Sequence, residues 1–560
     1  MLKGAHRTLD AFHSEAAQSA VSRFRYDSTP VMIKFLLALV LMVLGCGAAD
    51  AVLHGAVVGG VGSSDLYRPG TSQTLFNAPY YVCGTNYYVN NNSSAGGSDS
   101  NDGLAPTSGG GHGPWLTLQH ADSANVGAGN CINAVASATT YAAVTINHGG
   151  STATPSGYLV WRCTVMDGCT VNGGSGNGFG VVWISDGANP NFIIIDGFTL
   201  VGNASGTGAG FNAVTGSGAS STAVQSHHLW LFNSVVQNFG QSGVQLNQGD
   251  YIYIVHNTFS GNSTSSCFLG SGISMTSARN LSYSETSDDI NGNAAKFGYS
   301  WNIGGGNHFH MAVIWNVVHN NYITACGSSD GNGIIFDTFL APGNGVNYTQ
   351  PVLAGHNVTY NNGGTGVHCF QTTYCYLVNN SSFNENQAAN VGGSRPNMDD
   401  NAGTPSTPDA FYNNISVAIA TTTSPFGANH AFNVGPASSG GAGTPAGNIT
   451  YPVPPTNPSA NGARACPTTY EVQLFSGQSY STSANKCATN PGWANVTFGS
   501  PGNTATPPTG TNFALCTAAA VPNAGCAGAS PAIGFGTLLS WMPSTAIDSG
   551  ACGRAFTTCP

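Results

Sequence analysis

Residues 328–337 read Ser-Ser-Asp-Gly-Asn-Gly-Ile-Ile-Phe-Asp and set two carboxylates seven positions apart around an apolar run. Only 6% of the chain is charged, so a pair of acids here calls for a reason. Paired carboxylates can act as general acid and base, or supply hard oxygen ligands to Ca2+. Asp330 and Asn332 offer two such ligands, and Asp337 stands at the far end of the run. The plain alternatives are an Asx turn at Asp330 and a solvated strand end at Asp337.

The densest polar region spans residues 285–310 and holds Glu285, Asp288, Asp289, Lys296, His308 and His310. Asp288 and Asp289 extend the candidate calcium set. Lys296 is one of three basic side chains between residues 163 and 463, with Arg279 and Arg395. A lysine whose pKa is lowered by burial could take the C5 proton of a uronate; an exposed one would simply be solvated. His308 and His310 flank Phe309 at period 2, so both could meet a transition metal, or one ring could enter an apolar interior. Trp301 is a face on which a sugar could stack. Arg279, His310, Trp301 and Gln245 make up the candidate substrate contacts.

Something must bring these separated groups together, and an internal repeat supplies it. Asn followed by Asn five residues later recurs as Asn233/Asn238, Asn257/Asn262, Asn316/Asn321 and Asn357/Asn362, with looser copies at Asn380 and Asn414. Each copy follows a β-rich run. A second pattern, Gly-apolar-any-apolar, interleaves from Gly243, Gly272, Gly333 and Gly366. Two short strands recurring in fixed order make one coil of a solenoid. The all-β expectation is a right-handed parallel β-helix of roughly ten to twelve coils, with asparagines bonded up and down the stack.

Aligned on their glycines, the second set of strands puts Asn212, Gln245, Ser274, Ile335 and His368 in one outward column. Val214, Asn247, Thr276, Asp337 and Phe370 fall in the next. Stacked strands lie about 4.8 Å apart, so His368 and Asp337 come within reach of each other. His368 and Lys296 are then the candidate bases, with Asp337 beside them.

Residues 87–121, YYVNNNSSAGGSDSNDGLAPTSGGGHGPWLTLQHA, resemble the opening segment of secreted β-helix proteins of the pectin-lyase-like superfamily. There a G-S-D-x-N-D-G turn leads to P-W-x-T-L and a short helix that caps the first coil. GASPAIGFGT and IDSGACG near the C-terminus resemble the closing turns of the same proteins. The resemblance is closest to uncharacterised bacterial members. Asn291–Gly298, NGNAAKFG, is similar to the D-G-F-A-A-K motif of a calcium-dependent pectate lyase family, with Asn291 where that family has its calcium-binding Asp. The resemblance implies an N-terminal helical cap, Ca2+ as a cofactor, and a polysaccharide as partner. The superfamily contains lyases, hydrolases, epimerases and proteins without known activity.

Composition narrows the classes further. Gly is 76 of 560 residues and dispersed, which suits short strands joined by turns. Net charge is −10, and five of the 13 basic residues precede residue 52, which argues against nucleic acid as a partner. Residues 33–51 read as a secretory signal, too short for a membrane span. Cys46 stands where a lipidated cysteine would, the one membrane attachment the sequence offers. Of 15 cysteines, 14 remain without Cys46, and neighbours pair as 83–131, 163–169, 267–326, 369–375, 466–487, 516–526 and 552–559.

The expected organisation is a pre-segment and signal over 1–51, a linker over 52–80, a cap with first coils over 81–150, the β-helix over 151–435 and loop-rich closing coils over 436–560. A secreted or envelope-bound monomer is expected. Its expected activity is β-elimination on a uronate-containing polysaccharide. A glycoside hydrolase on the same scaffold and a non-catalytic glycan-binding surface protein stand as alternatives.

Overall fold

The computed structural model describes residues 81–181, 190–213, 227–247, 249–262, 271–276, 302–304, 307–321, 331–339, 348–372, 374–387, 396–401, 410–419, 430–434, 445–453, 463–465, 472–474, 480–487 and 489. Three strands, rather than two, make each coil. In one coil His227–Phe232 runs in the first sheet, Val235–Gln237 in the second and Val244–Asn247 in the third. The second strand has only three residues and lies between the two recurrent polar positions, too short for period-2 alternation to register.

Among the described residues, stacking these coils gives sheets of ten, ten and eleven strands, and Asn302–Gly304 pairs separately and antiparallel with Asn307–His308. Within the three sheets neighbours pair in parallel throughout, except that Ala463–Ala465 runs antiparallel to Val472–Leu474. The architecture is a right-handed parallel β-helix.

Inward residues form vertical stacks. Ile195, Leu231, Ile254, Val313, Ala354, Leu377 and Phe411 face one another strand to strand in the first sheet. All seven belong to the central core. Burying each large aliphatic side chain contributes about 1.5–3 kcal/mol, and β-branched residues suit the pleat.

Two polar ladders hold the corners on either side of the second sheet. Asn257, Asn316, Asn357, Asn380, Asn414, Asn448 and Asn485 form the first, each Oδ1 accepting the backbone N–H of the preceding rung. Each rung also donates Nδ2–H to the next Oδ1. Asn262, Asn321 and Asn362 begin the second ladder, which continues through Glu385. Buried backbone N–H groups at the turns are thereby satisfied.

Asn233 and Asn238 are not rungs. They precede the rung positions, held by Ser234 and Phe239, and adopt φ of 48° and 61°. Asn tolerates the left-handed region, so the same residue type serves both positions and the sequence repeat is offset by one there.

The glycine pattern follows from the second ladder. A Cβ on Gly333 would lie 2.9 Å from Asn362 Nδ2, and one on Gly366 would lie 2.6 Å from Glu385 Oε1. Gly333 and Gly366 therefore lead into their third-sheet strands without a side chain, because a ladder residue occupies that space.

The chain opens as the motif predicts. Asp99 accepts the N–H groups of Leu116 and Thr117, Asn101 bonds to the carbonyls of Gly96 and Pro114, and Asp102 accepts from Leu104 and Gly113. Gly103 has φ 76°, and a Cβ there would lie 2.7 Å from the Trp115 ring. The helix Leu118–Ser123 follows, N-capped by Thr117, and buries Leu118 and Ala121 over the first coils. Disulfides Cys83–Cys131, Cys163–Cys169 and Cys369–Cys375 close the three pairings that fall wholly on described residues.

Candidate functional site

The third sheet carries the outward columns. Gln245 pairs with Ser274, Ser274 with Ile335, Ile335 with His368, and His368 with Asp399. In the next column Asn247, Thr276, Asp337 and Phe370 are partners in turn. Neighbouring residues Ile334, Phe336, Val367, Cys369 and Met398 lie in the core, so alternation directs His368, Asp399 and Asp337 outward.

His368 Nε2 lies 3.1 Å from Asp399 Oδ2. The two residues are 4% and 3% exposed, so this contact is almost dry. It is a contact of distance rather than alignment. Neither ring nitrogen of His368, nor Asp399 Oδ1, makes a hydrogen bond among the described residues. Hydrogen bonds of a catalytic pair are often poorly aligned until substrate arrives. Asp337 is 7% exposed and lies one coil before His368, beside Phe370 in register.

Of the other expected site residues, Gln245 shares the column three strands away, with Oε1 accepting from Ser242 Oγ at 2.9 Å. His310 lies elsewhere. It is 6% exposed, its Nδ1 stands 3.0 Å from Asp250 Oδ1, and its ring stacks on Tyr251. Tyr348 OH donates to the same Asp250 oxygen at 2.8 Å, so His310 belongs to a buried network at the start of the first sheet. Lys296, Arg279, Trp301, Asp288, Asp289 and Asp330 lie outside the described residues.

Among the described residues no three His, Cys, Asp or Glu side chains gather to hold a metal. Asn332 Oδ1 accepts the Thr365 N–H at 2.9 Å, and Asn332 is 1% exposed.

Asp399 escaped the sequence alignment for a definite reason. The column was traced by its glycines, and the residue in register with Gly366 is Asn397, not a glycine.

No protein-family model matches the chain, and no curated protein matches it. Solved structures resemble it in outline. Pectate lyase Pel9A is 13% identical, with 85% of this chain and 97% of that chain covered and a TM-score of 0.43. The A-module of Azotobacter vinelandii mannuronan C-5 epimerase AlgE4 is 12% identical over 71% of this chain and 95% of that one, with a TM-score of 0.34. XylC in complex with xylose is 11% identical over 74% and 88%, also at 0.34.

Proposed function

We propose that this chain is a polysaccharide-active β-helix protein that cleaves a uronate-containing polymer by β-elimination, with His368 as the base. The single observation behind the reading is the buried His368–Asp399 contact on an outward column of the third sheet, with Asp337 one coil away. Imidazole is the usual side chain for proton transfer near neutral pH. In this scheme a ring nitrogen of His368 takes the C5 proton, the released electron pair forms the C4–C5 double bond, and the C4–O bond to the next sugar breaks. The leaving oxygen takes a proton from water. Asp399 stabilises the imidazolium while it lasts, as a carboxylate does beside a catalytic histidine.

The disulfides support a location outside the reducing cytosol. Among the described residues no helix is long and apolar enough to cross a membrane. No step is assigned to Ca2+; ligation by Asp288, Asp289, Asp330 and Asn332 is a separate proposal that a chelator tests.

A second reading, glycoside hydrolysis, would use Asp337 and Asp399, two outward carboxylates two strand steps and two register positions apart. At about 4.8 Å per strand and about 3.3 Å per residue their Cα atoms lie roughly 12 Å apart, so the carboxyl groups reach the separation of inverting glycosidases, about 6.5–9.5 Å, only by leaning together. A panel of uronate-containing and neutral polysaccharides, with and without chelator, separates the readings. Unsaturated product supports elimination. New reducing ends without unsaturation mean hydrolysis, and binding without cleavage means a glycan-binding protein.

A further inference from the structure

We propose that Glu385 is a positioning residue for the His368–Asp399 pair, fixing the entrances of the two strands that carry them through one buried polar cluster. The proposal rests on the reading of that pair as the working site and names what controls its geometry. Glu385 is wholly buried and takes the second ladder position where earlier coils have Asn262, Asn321 and Asn362.

Both carrier strands are tied to it. Oε2 accepts the Asn362 N–H at 2.7 Å, and Oε1 accepts from Ser382 Oγ at 3.2 Å. Ser382 Oγ receives the Thr359 hydroxyl at 2.8 Å, and its one proton is shared between Glu385 Oε1 and the Asn397 carbonyl, also at 3.2 Å. That carbonyl also accepts the Gly366 N–H at 2.9 Å. The Glu385 N–H reaches Asn397 Oδ1 at 3.4 Å. Gly366 precedes His368 by two residues, and Asn397 precedes Asp399 by two. The cluster therefore sits where adjacent coils enter the third sheet, and it holds the register in which the imidazole and the carboxylate meet.

A carboxyl group at a rung otherwise made of amides adds a proton that can leave. Burial raises its pKa to about 8, against the hydrogen bonds from Asn362, Thr359 and Ser382. Among the described residues, the Tyr360 phenol on Val358–Tyr360 is a titratable group that faces it; Thr359, Asn362, Ser382 and Asn397 carry no charge. Ionisation places an anion against the Asn397 carbonyl and the start of the His368 strand, and the cluster must rearrange.

The test follows the His368 imidazole Cε1–H resonance of the full chain through a pH titration by NMR, assigned with His368→Gln. Wild type should show an inflection near pH 8, absent in Glu385→Gln and in Glu385→Asn, the latter restoring the amide of neighbouring rungs. No inflection in wild type, or one that persists in a folded variant, overturns the proposal. Activity is read separately as the alkaline limb of kcat, which both variants should move upward. If the resonance behaves as expected but no polysaccharide is cleaved, the positioning role stands and the lyase reading falls.

Discussion

His368 Nε2 and Asp399 Oδ2 meet at 3.1 Å across one strand step of the third sheet, on side chains 5% exposed each. If this contact supports a proton-accepting imidazole, removing the charge without changing the shape must slow turnover. Asp399→Asn should lower kcat by about 10² with KM changed far less, within the range for positioned acid–base catalysis. Steady-state kinetics on the best polymer of the panel checks this; an unchanged kcat contradicts the role.

The asparagine ladders should matter more to stability than surface polar residues. Asn357 Oδ1 accepts both the N–H and Nδ2–H of Asn316, and its own Nδ2 donates to the Val313 carbonyl. Asn357→Ala strands these buried groups and should cost about 2–4 kcal/mol. Urea unfolding measures it, and a cost under about 0.5 kcal/mol, the level of a surface change, contradicts the account.

The glycine that starts the His368 strand should be irreplaceable. A Cβ on Gly366 would lie 2.4 Å from Thr359 Oγ1 and Ser382 Oγ, whereas one on Gly109 meets nothing within 4 Å. Gly366→Ala should destabilise by about 1–3 kcal/mol or more through overpacking, and Gly109→Ala should fall within about 0.5 kcal/mol of wild type. Equal melting temperatures for the two variants contradict the packing argument.

Stability should be highest between about pH 4.5 and 6.5, where two buried groups offset each other. Glu385 titrates near 8 when folded against its ordinary 4.5, so the folded state holds the extra proton between these values. Its contribution is complete below 4.5 and is lost as pH rises to 8, at up to about 1.4 kcal/mol per pH unit for one proton. His227 works in the opposite direction: burial, with the charge of His228, lowers its pKa from 6.5 to about 3. Its contribution is present above 6.5 and lost as pH falls. Urea midpoints should decline between pH 6.5 and 8, and Glu385→Gln should flatten that decline while keeping the acid limb.

Much of this arrangement was legible in the sequence. Period-2 runs, the Asn pair spacing and the leading glycines fixed the stacking, because each reports a constraint repeated in every coil. The column through Gln245, Ser274, Ile335 and His368 was read in its observed register. What escaped detection breaks the repeat. Glu385 lies five residues after Asn380, at the rung position, but it is not an asparagine. Asp399 follows an Asn where earlier coils have glycine, and His310 is bound to Asp250 from 60 residues away, a partnership no local spacing reveals.

In the proposed reaction His368 removes a proton to start an elimination. Wild type and His368→Ala should be compared, at matched folding, for the rate at which ultraviolet-absorbing unsaturated product appears from a uronate polymer. Wild type should release product steadily, and the variant should lose about 10²–10⁴ in rate. Release by His368→Ala at the wild-type rate would contradict that role.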